Sequence, residues 1–517
     1  MAKPAPLPEH TAPGDGFARG LLGRYAAARA RRTPWESLWQ DCYDHALPLA
    51  AAVNGQNDAG TRRGDRLFDG TAPDAVDQLA ASLLSQLTPP WSRWFALTPG
   101  PDMAAAERDR LAPALNKITT VAQAHFDHSN FAIEMHQACL ELVTAGTASL
   151  MIEEAAPGAS SSLAFTAVPL AELALAEGVD GRLDTTFRRH DLTLDRLLAR
   201  FPHAAVPEDL RTAAVRDPQR TVVVIEAVEP DGPAFRYAVV LDDGGGGGEG
   251  TVVLSEGRFG ASPFINFRWL KAPGETYGRS PVMKALPDIK TANKVVELVL
   301  KNASIAVTGM WQADDDGVLN PATIRLRPGA IIPKAVGSAG LTPLASPGRF
   351  DVSQLVLQDL RSRIRHALLV DRLGAIGDAR MTATEVLERS AEMARMLGAT
   401  YGRLQSELLT PLVLRGLAIL RRRGEIPDVP VDGRLIRIQY RSPLAQAQAN
   451  RDVQATLRWL EVVTALGPQA TATIDAAATA RWLGDAFGVP AALMTSLPPP
   501  VPLPVTVAAK QVEAGHA

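Results

Sequence analysis

Residues 381–420 read MTATEVLERSAEMARMLGATYGRLQSELLTPLVLRGLAIL, and the way this run folds decides what kind of protein surrounds it. Thr382 and Glu385 have capping-box spacing, in which hydroxyl and carboxylate each satisfy a free backbone N–H at a helix start. Val386, Met393, Leu397, Leu404, Leu408 and Leu412 then recur at sevens and fours, which keeps one apolar stripe on a helix. Glu385, Glu388, Arg389, Glu392, Arg395, Arg403 and Glu407 fill much of the remainder. A helix from Ala383 to Leu420 would span about 55 Å, tolerating Gly398 and Gly402 and bending near Pro411. A helix so long and so poor in reactive groups bridges layers or packs against copies of itself; a core helix of a large enzyme is the competing reading.

Outward from this run, the glycine-hinged loop DRLGAIGDAR precedes it. Before that loop, DVSQLVLQDLRSRIRHALLV places Leu357, Leu360, Ile364 and Leu368 in line. An earlier helix after Pro287 does the same with Ile289, Ala292, Val296 and Val299, so two helices bracket an insert that contains the strand-like TIRLRPGAII. Lys290, Lys294 and Lys301 share a face of the earlier helix, and Arg361, Arg365 and Arg372 line up on the later one. Such stripes are ordinary solvated faces or weak phosphate sensors.

Between about 150 and 270 the period changes to two. LAFTAV, TTFRRH, TVVVIEAVE, FRYAVVLDD, TVVLSEG and PFINFRW are β-branched or alternating runs parted by turn residues, which predicts a mostly antiparallel sheet region. Helices precede it, over Phe17–Leu49, from Thr71 to the proline stop at LTPPWSRWF, and over about 103–147. RLIRIQYRSP reads as a strand, Leu444–Phe487 as alanine-rich helix, and LPPPVPLPV as extended polyproline.

Composition sets limits. The chain has 517 residues, 46% of them hydrophobic and 21% charged, enough for two to four domains. A net charge of -3 excludes a globally basic nucleic-acid binder and leaves only local stripes. Cys42 and Cys139 are too few for a disulfide framework, and neither a secretion signal nor a membrane span is expected. In the glycine run that opens at Gly244, Gly245, Gly247 and Gly250 fit dinucleotide spacing, but a strand follows instead of a helix, so a hairpin loop is expected. There is no P-loop and no nucleophile elbow. His125, His128 and His136 lack the spacing of a zinc site, and ADDDG lacks that of a calcium loop, so no metal or cofactor is expected.

Several segments, in order, resemble the portal, or head-to-tail connector, proteins of short-tailed double-stranded DNA bacteriophages. They are RRTPWESLWQDCYDHALP, RLFDGTAPDAVDQLAASLLSQLTPPWSRWFAL, GETYGRSPVMKALPDIKTANKV, LNPATIRLRPGAIIPK and the opening run, together covering about Arg24–Pro427. The resemblance implies an α+β portal fold with helical wing and stem, antiparallel β regions, a small α/β clip and a helical C-terminal crown. By position, residues 1–280 would be the wing, 281–307 and 351–370 the stem helices, and 308–350 the clip. Residues 371–381 would be the channel loop, 382–443 the spine helix and wing return, 444–490 the crown, and 491–517 a proline-rich tail. It further implies a non-enzymatic ring, usually of twelve subunits, at one capsid vertex of the virion, through which DNA is packaged and ejected. Its partners would be double-stranded DNA, the terminase large subunit, major capsid and scaffolding proteins, and tail adaptors. Lys290, Lys294, Lys301, Arg361, Arg365, Arg372 and Arg380 would be the DNA-channel candidates. A tail or adaptor protein is the alternative.

Overall fold

The computed structural model describes residues 15–48, 64–90, 92–100, 102–103, 105–202, 204, 206–242, 252–308, 310–312, 342–344, 350–370, 398–428, 431–441, 443–471 and 473–487. The chain divides into two compact units, Met1–Ser92 with Ala122–Pro427, and Arg93–Val121 with Asp428–Ala517.

In the first unit, β4 (Leu173–Ala176), β5 (Thr185–Thr193), β6 (Thr221–Asp231), β7 (Ala234–Asp242) and β8 (Val253–Phe259) form an antiparallel meander. Its two faces explain the largely apolar run TVVVIEAVE. Val224, Val239 and Leu241 point to one side, where α5 (Leu194–Arg200) and α6 (Glu208–Arg216) bury Leu194, Leu197 and Leu210 against them. Ile225, Ala227, Ala238 and Val240 point to the other, under Leu21 and Ala28 of α1 (Asp15–Ala46). Successive residues alternate between faces, so a strand covered on both sides is apolar at most positions, and the buried Glu226 in its middle is held by His190 at 3.1 Å and Arg200 at 3.3 Å. Gly244–Gly248 lie outside the described residues, yet β7 and β8, which flank them, pair antiparallel, in accord with a hairpin.

A second sheet, ordered β3 (Leu163–Val168), β2 (Thr147–Glu154), β9 (Phe264–Arg268), is also antiparallel. The helical region expected over about 103–147 is two helices, α3 (Ala105–Asp127) and α4 (Phe131–Ala145). α4 passes into β2 through Gly146, whose φ of +78° and backbone approach to Gly278 exclude any side chain; a Cβ there would lie 2.4 Å from the Gly278 carbonyl oxygen. This contact joins the TAGT and YGRS segments. Beside it, Tyr277 is fully buried with its ring 4.9 Å from that of Trp39, so two of the quoted sequence segments meet in one aromatic cluster.

Four helices complete the core: α2 (Thr71–Leu87) packs on α4, and α7 (Pro281–Thr308) and α8 (Phe350–Ala367) pack on each other and on α2. α7 begins at Pro281, six residues before Pro287, past which the apolar spacing is read. Ser280 is its cap, with Oγ accepting from Met283 N at 2.9 Å and donating to the Thr144 carbonyl at 2.8 Å. Pro281 then takes the first helical position, where a missing N–H costs nothing, and Pro287 is carried inside the helix on an exposed side. Between α7 and α8, β10 (Met310–Gln312) pairs with β11 (Thr342–Leu344); the rest of the insert, including TIRLRPGAII and ADDDG, lies outside the described residues.

The opening run is described from Gly398 onward, and the capping box at Thr382 lies outside. From there α9 (Gly398–Leu404), a π turn (Gln405–Leu409) and α10 (Thr410–Arg422) follow without a break. Near Pro411, where a bend is expected, the helix carries a widened turn just before the proline. Proline has no N–H to give and its ring crowds the carbonyl four residues back, and the π turn accommodates both. Thr410 Oγ1 donates to the Gln405 carbonyl at 2.9 Å.

The second unit joins chain segments more than three hundred residues apart. β1 (Phe95–Pro99) pairs antiparallel with β12 (Ile436–Tyr440), Phe95 opposite Tyr440. Thr119 of α3 receives the Leu97 N–H at 3.0 Å on its hydroxyl. The C-terminal region holds α11 (Pro443–Ala465), α12 (Pro468–Thr471) and α13 (Ala476–Phe487), as the alanine-rich pattern predicts.

Candidate nucleic-acid interface

The basic stripes lie on α7 and α8, and the packing of those helices determines what the cations can reach. Val282, Ala285, Leu286, Ile289 and Ala292 bury one stripe of α7, and Leu357, Leu360, Ile364 and Leu368 one stripe of α8. The α7 stripe then outlasts its cover. Leu300, eleven residues or about three turns beyond Ile289, is 53% exposed although it continues the same line. The helix pair is therefore embedded at one end and bare at the other.

The embedded end is clamped by the RLFDG segment. Asn293 of α7 accepts from the backbone N–H groups of Phe68 and Asp69, at 2.6 and 3.1 Å, and donates to the Arg66 carbonyl at 2.9 Å. Asp69 in turn accepts from Arg361 of α8 at 2.9 Å. Burial would raise this carboxyl, but hydrogen bonds from Thr71 and Arg361 outweigh it and hold the group below the ordinary range. A second pair, Arg363 with Asp288 at 3.0 Å, ties the two helices directly.

The seven expected candidates divide accordingly. Lys290 reaches Asp41 of α1 at 2.6 Å. Lys294 and Lys301 both hold Glu297, at 2.9 and 2.5 Å, and their hydrogen bonds, Lys301's first, lower its carboxyl. Arg361 is engaged by Asp69, and Arg365 is exposed with no ion pair among the described residues. Arg372 and Arg380 lie outside the described residues. Three clamp residues, Asp69, Asn293 and Arg363, were missed by stripe reasoning, since only their distant partners give them a role.

The histidine cluster has a different occupation. His125 Nε2 stands 2.6 Å from Glu425 Oε2, and its Nδ1 receives the Ser162 N–H at 3.2 Å. Among the described residues no group of three or more metal-ligating side chains converges, and no helix is long and apolar enough to cross a membrane.

The helix pair is thus held by polar clamps at one end and carries exposed apolar side chains at the other. Residues 18–494 match the family of bacteriophage head to tail connecting proteins, and the chain belongs to that family. It is 27% identical over 495 residues to a probable portal protein of Bordetella phage BPP-1, covering 91% of this chain and 87% of that one. With the portal protein of Salmonella phage epsilon15 it shares 26% over 489 residues, covering 88% and 84%. A chain from the neck of an empty gene transfer agent particle aligns over 84% of this chain and 96% of its own, at 12% identity and a TM-score of 0.36, too distant to assign the fold. The resemblance to portal proteins drawn from the sequence segments holds.

Proposed function

We propose that copies of this chain close into a ring at one vertex of the phage head, and that DNA is packaged and ejected through its centre. α7 and α8 are the stem, the insert between them the clip, residues 371–381 the channel loop, the helix through the π turn the spine, and α11–α13 the crown. The terminase large subunit, capsid, scaffolding and tail adaptor proteins dock on this ring, which works in the virion.

The observation that carries the reading is the bare end of the helix pair. Leu298 is 48% exposed and, nine residues from Ile289, sits half a turn away from the buried stripe of α7. Leu355, 70% exposed, lies on the far side of α8 from buried Leu357. Two apolar sites on different helices are not one self-complementary patch; they suit a contact in which each copy offers one site to each neighbour, the geometry that closes rings. The cations support a channel because most are held by neighbouring carboxylates. A lining that neutralised many phosphates outright would grip DNA and impede its movement.

Native mass measurement and negative-stain imaging of the purified protein test this. The expected result is a perforated ring whose mass is a multiple of 55.1 kDa. A monomer at every ionic strength would overturn it.

A further inference from the structure

α11 and α13 pack on each other, and each leaves large apolar side chains exposed. Trp459, Val462 and Leu466 follow at spacings of three and four, which puts them on one face of α11, and they are 49%, 60% and 72% exposed. Trp482 of α13 is 42% exposed. Scattered apolar residues on a surface need no explanation, whereas a line of large ones with two tryptophans marks a binding face.

The chain itself holds a segment suited to that face. No charged residue occurs between Asp485 and Lys510, and Leu497–Val505 read LPPPVPLPV. This stretch lies past residue 494, where the family match stops. Proline-rich sequences favour the polyproline II helix, which loses little entropy on docking because its backbone is already set, and such helices dock on aromatic-lined surfaces. Leu497 comes ten residues after the end of α13 at Phe487, a reach of up to about 33 Å. Trp459 and Leu466 are only about 11 Å apart along α11.

We propose that Leu497–Val505 lies across the Trp459–Val462–Leu466 face of α11, with its prolines against the indoles of Trp459 and Trp482.

The test uses the full chain with photoreactive p-benzoylphenylalanine in place of Leu503, together with amide hydrogen exchange of residues 457–466. Irradiation should yield adducts that join the tryptic peptide Trp459–Arg481 to the peptide Trp482–Lys510, which carries residue 503. Replacing Pro499→Asp and Pro502→Asp together should speed exchange across 457–466 at least tenfold, a change confined to a segment outside the folded helices. Adducts elsewhere only, or none, would overturn the proposal, as would exchange that ignores the tail substitutions. Protection that instead rises with protein concentration would assign the face to a second copy. The mass of the assembly in the same samples reports separately on ring formation.

Discussion

Arg268, the last residue of β9, meets Glu407 of the π turn three times: Nη2 donates to Glu407 Oε1 at 2.7 Å, and Nε and the backbone N–H donate to Oε2 at 3.2 and 3.0 Å. The arginine side chain is fully buried, and its remaining donors reach Glu177 and the carbonyls of Thr276 and Gly181. One cation thereby fastens the helix that opens at Gly398 to the sheet beneath it and to the loop before α7. Taking away one partner of such a group leaves a charge stranded in low dielectric.

Glu407→Ala should therefore destabilise the protein by about 3 kcal/mol, the low end for a broken buried pair, since Glu177 still faces the guanidinium. The double replacement Arg268→Met with Glu407→Leu should recover most of that loss. Thermal melting of the three proteins checks it; a double variant no better than Glu407→Ala would show that the ion pair itself supplies the stability.

These relationships also mark where the sequence stops being legible. Two-sided burial could be read from TVVVIEAVE, because alternation is a local property, and the helices through Leu360 and Leu412 announce themselves by period. The start of α7 is also written locally, in the Ser280–Pro281 pair, and Pro287 is carried inside the helix. α5 and α6 were not picked out within the strand region, since each is too short to show a period. Arg268 with Glu407, and Arg361 with Asp69, are beyond any local signal: the members stand 139 and 292 residues apart, and each resembles a surface charge until the fold brings its partner.

Glu141 of α4 makes a pH prediction. It is fully buried and accepts a hydrogen bond from the Tyr43 hydroxyl of α1; desolvation lifts its carboxyl to about 7, against the slight lowering by Tyr43. The folded pKa exceeds the unfolded one, so the favourable contribution is complete below the ordinary glutamate range and is lost as pH rises through 7. Ionisation should cost about 3 kcal/mol by pH 8. Glu141→Gln keeps an acceptor for Tyr43 without the charge. It should melt several degrees above the parent at pH 8 and close to it at pH 4.5; equal gains at both would exclude the titration.

The channel assignment predicts a separation of assembly from transport. Arg372→Ala with Arg380→Ala should leave ring mass unchanged and lower packaged DNA per particle, and normal packaging would refute their role. Asp41→Asn should act in the opposite sense. It frees Lys290 from its 2.6 Å partner, adds a phosphate-seeking cation and slows DNA release, with a steeper dependence on salt than the parent.

The polarity of the proposed ring can be read with single cysteines. If Leu298 of one copy faces Leu355 of the next, copies bearing Leu298→Cys and copies bearing Leu355→Cys should form covalent dimers under mild oxidant only when mixed before assembly. Neither variant alone brings its new thiols together, because a head-to-tail contact never sets a site against itself. The native thiols stay silent: Cys42 and Cys139 are buried, and desolvation pushes both up to about 12, far from the reactive thiolate. Dimers from the Leu298→Cys variant by itself would mean a twofold contact, and twofold pairing through this surface cannot close a ring around DNA.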